Sequence, residues 1–347
     1  MKTILVLFGG CSSEYEVSLQ SAQAVLAHLD PRQVRPLPVG VTCDGRWLYC
    51  PASPDRLPHE TWMEGGVPCA LRLDRGKTAL LLLDGGNTAL DFDAAFPVLH
   101  GKNGEDGTVQ GLLELVGIPL IGCGTLSSAL CMDKDRAHKL AALAGIRTPK
   151  SAVFSPAAPW EEIVETARSL GYPLFVKPVR AGSSFGVSRV ESPGSLSAAV
   201  EAAFRHDGRI LLEEAVPGFE VGCAVMGNPG ETELTVGAVD EIELSGGFFD
   251  FGEKYTLRTS AIHCPARISP SQAARVQAAA RAVYAALDCR VFARVDFFLT
   301  PEGELLFNEV NTIPGFTAHS RYPSMMQAAG LSFPALLRRL VELGAGV

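Results

Sequence analysis

The chain has 347 residues, 47% of them apolar and 20% charged, with a formal net charge of −8. This composition excludes a disordered chain, and the length predicts two or three domains rather than one core. The acidic balance argues against nucleic acid as the main partner, while leaving room for a small anion held by local Lys and Arg residues.

Residues 4–8 form a continuous apolar run, followed by Gly9-Gly10-Cys11-Ser12-Ser13 and then helical spacing over 19–29. Strand, glycine turn and helix make the opening unit of an open parallel α/β sheet. The G-x-G-x-x-G fingerprint is absent, and Glu14 at the helix entry would repel a pyrophosphate there. Glu14 either complements the helix dipole or meets a cationic group such as a substrate ammonium. The opening run is too short for a secretory signal, and no stretch has the length of a membrane span, so a cytoplasmic protein is expected. Nine scattered cysteines contain no C-x-x-C pair, which predicts neither a zinc cage nor a redox dithiol.

Residues 42–90 are punctuated by Pro and Gly and read as a variable part of the first domain. Residues 93–99 predict a strand running into the loop HGKNGEDG (100–107), with a helix over 108–116 and a strand over 118–121. His100, Glu105 and Asp106 all have ordinary packing or dipole readings. Three glycines in seven residues nevertheless point to backbone held close to a ligand or another loop. Residues 125–144 read as one helix, and Thr148-Pro149 as a linker. Strand, helix and strand follow over 151–154, 160–170 and 174–178. Lys177, a cation in a buried strand, needs an anionic partner, for which a nucleotide phosphate is a candidate. In RAGSSFG (180–186), backbone N–H groups and the hydroxyls of Ser183 and Ser184 can close round phosphate oxygens. A hairpin turn is the plainer reading of that loop.

A strand over 210–215 carries Glu213 and Glu214, with Glu220 beyond Pro217-Gly218. Such carboxylates can accept from an adenine amino group or ribose hydroxyls, or can face solvent. Residues 219–226 and 234–244 predict antiparallel sheet, and the aromatic, glycine-bearing stretch 245–255 predicts an active-site lid. An amphipathic helix follows over 269–287. Two apolar runs, 291–299 and 304–310, flank the turn Thr300-Pro301-Glu302-Gly303 and predict a hairpin. Strand alternation puts Glu309 and Asn311 on one face, with Asp296 able to sit opposite. Two carboxylates and an amide oxygen suit Mg²⁺ shared with nucleotide phosphates. Solvent-facing charges are disfavoured because both acids lie in apolar runs. Residues 331–343 close the chain as a helix.

These pieces together resemble the D-alanine–D-alanine ligases of the ATP-grasp superfamily. The resemblance rests on GGCSSEYEVSLQSA (9–22), HGKNGEDGTVQGLLELVGIPLIGC (100–123), MDK (132–134), LFVKPVRAGSSFGVSRV (174–190), LLEEAVPGFEVGCAV (211–225), FFDFGEKYTL (248–257), ARVDFFL (293–299) and NEVNTIPGFTAHSRYP (308–323). They recur in family order across nearly the whole chain, and their wording matches the VanG-type D-alanine–D-serine ligases. The resemblance implies an α/β and α+β, three-domain ATP-grasp fold with an N-terminal open parallel α/β domain. Residues 1–124 would bind the first D-alanine, and 125–215 would carry the Gly/Ser phosphate loop. Residues 216–347 would carry the lid and two Mg²⁺ ions, or Mn²⁺ in their place. ATP would lie between two antiparallel sheets, and dimerisation is a family expectation.

By the same resemblance, Lys134, Lys177, Ser184 and Lys254 would meet ATP phosphates, and Glu213, Glu214, Val216 and Glu220 would address adenine and ribose. Asp296, Glu309 and Asn311 would hold the metal. Glu14 would pair with the first ammonium, His100 would lie near the first carboxylate, and Ser183 with Tyr255 would lock the lid. Arg294 and the Gly315 N–H would stabilise the oxyanion, and Ser320 would bind the second carboxylate. Asp240, Phe249 and Arg321 match the D-serine subgroup, and a pocket that hydrogen-bonds a hydroxyl can reject the analogue lacking it. Arg321 could instead be a structural salt-bridge partner that leaves D-alanine preferred. The Lys254-Tyr255 pair departs from the D-lactate ligases and ranks a depsipeptide product lower. A non-catalytic nucleotide sensor on this fold would have lost catalytic positions, and none is lost.

Overall fold

The computed structural model describes residues 1–51, 53–86, 88–182, 185–230, 233–244, 260–317 and 320–346. The described strands form three sheets. The first contains β1 (Lys2–Gly9), β2 (Val34–Val41), β3 (Trp47–Tyr49), β4 (Val67–Leu71), β5 (Ala79–Leu82), β6 (Ala89–Asp91) and β7 (Ala94–Pro97), in the order β6-β5-β4-β3-β2-β1-β7. β1 is parallel to both β2 and β7. Ile4 to Phe8 are fully buried, as expected of a central strand covered on both faces. Residues 42–90, without assigned elements from sequence, extend this parallel core with antiparallel strands. The strand predicted over 118–121 is only an isolated bridge, Ala95 to Leu120. Pro119 offers no N–H, and glycines at 117 and 122 leave too short a run for a ladder.

Helix α1 (Tyr15–His28) covers β1, and α2 (Thr108–Val116) follows the 100–107 loop. The single helix predicted over 125–144 is in fact two, α3 (Thr125–Met132) and α4 (Lys134–Leu143). Asp133 adopts an extended conformation between them and accepts the Arg136 N–H at 3.1 Å, an N-cap that restarts the helix in a new direction.

The second sheet is wholly antiparallel: β8 (Ser151–Phe154), β9 (Leu174–Pro178), β10 (Ser188–Val190) and β11 (Ile210–Glu214), ordered β10-β9-β11-β8. Helices α5 (Trp160–Leu170) and α6 (Leu196–Phe204) cover it. The third sheet is antiparallel as well: β12 (Phe219–Met226), β13 (Thr235–Leu244), β14 (Ser260–His263), β15 (Phe292–Leu299) and β16 (Leu305–Asn311), ordered β14-β13-β12-β15-β16. Helix α7 (Pro270–Ala286) packs on this sheet and starts with a capping box between Ser269 and Gln272.

Packing ties the first sheet to the third, and α3 and α4 to the third. Cys131, Ala137 and Ala141 of α3 and α4 share a core with Val221, Val295 and Phe307 of the third sheet. The closing helices α8 (Arg321–Ala328) and α9 (Phe333–Ala345) send Met325, Leu336 and Leu340 into a core with Ile4, Val6 and Phe8. The carboxyl end of β1, the start of α4 and the end of β16 therefore converge. Among the described residues no helix is long and apolar enough to cross a membrane.

Candidate active site

The predicted hairpin is present as β15 and β16, and its register decides the chemistry. Asp296 pairs with Glu309 and Arg294 with Asn311, but Phe297 pairs with Phe307, so Asn308 is an extra residue on β16. This bulge reverses the alternation. Phe307 and Val310 both enter the core, while Glu309 and Asn311 turn to the opposite side. Unbroken alternation would have put Glu309 on the core face with Phe307. Bulges commonly re-aim side chains beside active sites. His138 of α4 sustains this one, its Nε2 lying 2.9 Å from the Asn308 carbonyl. Burial lowers the His138 pKa, so the ring is neutral and Nε2 carries the proton that the carbonyl accepts.

The redirected face opens into a cleft lined by Glu14, Glu105, Lys134, Gly182, Glu309 and Asn311, among others. The third sheet contributes β16, and loops and helix ends beside the other two sheets supply the rest. Glu14 stands at the start of α1 but does not cap it with its side chain. A Cβ on Gly101 would meet Glu14 Oε2 at 2.3 Å and one on Gly182 at 3.2 Å, so glycine lets both loops close on the carboxylate. Lys134 Nζ donates to the Ala181 carbonyl at 2.8 Å and lies 3.6 Å from Glu309 Oε2, joining the Gly/Ser loop to the acidic strand. Glu105, read from sequence as a dipole-complementing acid, belongs to the cleft instead. Burial and the neighbouring Glu14 raise its pKa to about 8, against two backbone N–H donors, with Glu309 adding to the rise.

Lys177 has a protein partner rather than only a prospective phosphate: its Nζ donates to Glu213 Oε1 at 2.5 Å, with both side chains buried. Glu213 Oε2 and His138 Nδ1 are buried without hydrogen-bond partners among the described residues. Glu214 Oε1 accepts the Lys150 N–H at 2.8 Å. Val216 and Glu220 lie half-buried near the start of the third sheet.

Asp296 is 1% exposed. Arg294 Nε donates to Oδ1 at 2.9 Å and Nη2 to Oδ2 at 2.7 Å, while Asn311 Nδ2 donates to Oδ2 at 3.1 Å. Arg321 grips Asp240 through Nε at 2.6 Å and Nη2 at 2.7 Å, and Nη2 lies 3.3 Å from Asp296 Oδ1. Burial works against the Arg321 charge, but Asp240 and Asp296 outweigh it and raise its pKa. The salt-bridge reading of Arg321 thus describes its contacts, although the pair still lies beside the cleft strands. Metal donors fit in part. Among the described residues no three His, Cys, Asp or Glu side chains gather as a cage. Two carboxylates with an amide oxygen suit a hard ion that completes its shell with phosphate and water. Because Asn311 turns its nitrogen to Asp296, its Oδ1 faces away from that residue, whereas an ion at Asp296 would share the carboxylate with Arg294.

Both ring nitrogens of His100 are engaged inside the protein, Nδ1 with the Ile313 carbonyl at 2.9 Å and Nε2 with Ser21 Oγ at 3.1 Å. Ser320 Oγ accepts the Thr317 N–H at 3.0 Å, and a Cβ on Gly315 would meet that oxygen at 2.9 Å. Ser183, Ser184, Phe249, Lys254 and Tyr255 fall outside the described residues. Sequence reasoning passed over Ser21 and His138, and read Glu105 only as a dipole-complementing acid. Only the glycine-rich setting of Glu105 carried a signal.

Family models for the D-ala D-ala ligase N-terminus and C-terminus match residues 3–123 and 140–342. The chain is 45% identical over 345 residues to the vancomycin B-type resistance protein VanB of Enterococcus faecalis, covering 98% of this chain and 97% of that one. It is 46% identical over 344 residues to a putative D-alanine–D-lactate ligase of Streptomyces coelicolor, covering 97% and 96%. The crystal structure of VanG D-Ala:D-Ser ligase from Enterococcus faecalis superposes with a TM-score of 0.91 at 52% identity, covering 99% of each chain. With family models matching residues 3–123 and 140–342 and the ATP-grasp pair of antiparallel sheets in place, the chain belongs to the D-alanine–D-alanine ligase family, whose members use ATP and Mg²⁺.

Proposed function

We propose that the protein joins D-alanine to a second D-amino acid, with D-serine preferred, through a D-alanyl phosphate intermediate. The observation that carries the ligase reading is the cleft where Glu14, Lys134, Glu309 and Asn311 meet. D-Serine preference is supported by likeness to the VanG D-Ala:D-Ser ligase.

ATP supplies the phosphoryl group that activates the first carboxylate, and Mg²⁺ neutralises the phosphate charge. Lys134, Lys177, Ser184 and Lys254 would hold the phosphates, and Asp296, Glu309 and Asn311 the metal. Glu213, Glu214, Val216 and Glu220 would address adenine and ribose. Glu14, a buried carboxylate, is suited to the first ammonium. The second amine then attacks the acyl phosphate carbon. A C–N bond forms, the C–O bond to phosphate breaks, and the proton given up by the amine leaves on the departing phosphate. Arg294 binds Asp296 through Nε and Nη2, which leaves Nη1 to join the Gly315 N–H on the developing oxyanion. Ser320 precedes α8, where helix N–H groups favour a carboxylate. The lid read from sequence at 245–255, tied by Ser183 and Tyr255, would exclude water.

One observation favours D-alanine as second substrate instead: Arg321 commits Nε and Nη2 to Asp240 and Asp296. Phosphate release from ATP with D-alanine alone, and with D-alanine plus D-serine, tests both readings when the dipeptides are identified by mass. D-Alanyl-D-serine should dominate the mixture. Dominant D-alanyl-D-alanine would shift the assignment to a housekeeping ligase, and phosphate release independent of amino acid would end the ligase reading.

A further inference from the structure

After β16 the chain stays in the interior over residues 312–316, with Thr312, Ile313 and Phe316 all buried. Its backbone polar groups must find partners there, and side chains from the first sheet's domain supply them. Glu105 Oε1 accepts the Ile313 N–H at 3.3 Å, while Glu105 Oε2 accepts the Gly101 N–H at 2.7 Å. The Ile313 carbonyl can only accept, so the His100 Nδ1 that faces it at 2.9 Å carries a proton. Burial lowers the His100 pKa and keeps the ring neutral, so Nε2 is an acceptor. Ser21 therefore donates its hydroxyl proton to Nε2 across 3.1 Å, and its oxygen accepts the Phe316 N–H at 3.2 Å. From the Ile313 carbonyl through His100 and Ser21 to the Phe316 N–H, every proton direction is fixed. From its other side the same loop reaches Glu14: Ser12 Oγ donates to the His100 carbonyl at 2.7 Å and accepts the Glu14 N–H at 3.2 Å.

We infer that Ser21, His100 and Glu105 are positioning residues that pin residues 313 and 316 and thereby set the aim of the Gly315 N–H between them. This inference rests on the ligase reading, in which that N–H faces the oxyanion. His100 then acts through the backbone of the loop rather than on a substrate carboxylate. The domain that holds the first substrate's ammonium also fixes the donor for the tetrahedral intermediate, so both ends of the reacting group share one frame.

Ser21→Ala removes the relay and orphans the Phe316 N–H. The expected result is a fall in kcat of about 10²-fold, the scale of an ångström's misplacement. KM values for ATP and D-alanine should stay within about twofold of wild type. Affinity for a tetrahedral phosphinate dipeptide analogue should fall by the same factor as kcat, and Ser21→Thr should restore both. Should Ser21→Ala not fold, His100→Gln, which keeps a donor for Ile313, must show the same signature. Unchanged kcat, a fall in kcat with analogue affinity intact, or no rescue by threonine would overturn the inference. A wild-type protein that forms no dipeptide would instead sink the ligase reading itself.

Discussion

Gly222 shows how a residue without a side chain can carry a site. It lies on β12 opposite Asp240 on one side and Asp296 on the other. A Cβ there would stand 2.4 Å from Arg321 Nη2, 2.7 Å from Asp296 Oδ1 and 2.8 Å from Asp240 Oδ1. The charge cluster is packed against bare backbone, and the Gly222 N–H donates to Asp240 at 3.0 Å. Gly222→Ala is expected to cost about 1–3 kcal/mol, as overpacking of a filled interior does. Because Asp296 and Arg294 move with the cluster, kcat should fall too. Urea unfolding with steady-state kinetics checks both, and a change below about 0.5 kcal/mol would mean that the cluster yields freely. In sequence, Gly222 looks like any strand glycine. Lys177 was more legible: a lysine within Leu-Phe-Val had to have an anion, although its first partner proved to be Glu213.

Among elements, the break between α3 and α4 and the bulge on β16 do related work. Both turn a regular element so that a polar side chain reaches the cleft. Asp133 caps α4 and pairs with Arg136 and Arg209, and the restarted helix delivers Lys134 to the Ala181 carbonyl. Asp133→Ala should destabilise the protein by about 1 kcal/mol through loss of the cap, and should raise the KM for ATP as Lys134 loses its setting. Chemical denaturation and ATP titration measure the two effects separately. Asp133→Asn keeps the capping oxygen and should recover most of the stability. The M-D-K motif was visible in the sequence. The helix break was not, because residues 125–144 keep helical spacing on both sides of Asp133.

For the whole molecule, buried titratable groups at the domain junction give stability an optimum in pH. Burial depresses the pKa values of His100 and His138 below their ordinary 6.5. Below pH 6.5 the unfolded chain takes up protons that the native state refuses, so their contribution is complete above that value and is lost as pH falls. Glu105 has the opposite sign. Its pKa rises from 4.5 to about 8, so the native state holds an extra proton between those values and loses stability as pH climbs through them. Unliganded protein should be most stable near pH 6.5. Thermal unfolding across pH 5 to 9 checks this, with His138→Gln flattening the acid limb and Glu105→Gln the alkaline one. The sequence alone determined the family, the hairpin carrying Asp296, Glu309 and Asn311, and the apolar β1 around which the first sheet forms, because motif order and local periodicity reside in neighbouring residues. The tertiary structure decided that Asn308 bulges, that Glu105 is a cleft acid and that Ser21 and His100 grip residues 313 and 316. Those outcomes depend on partners up to 295 positions away in the chain, and no local pattern records a contact of that range.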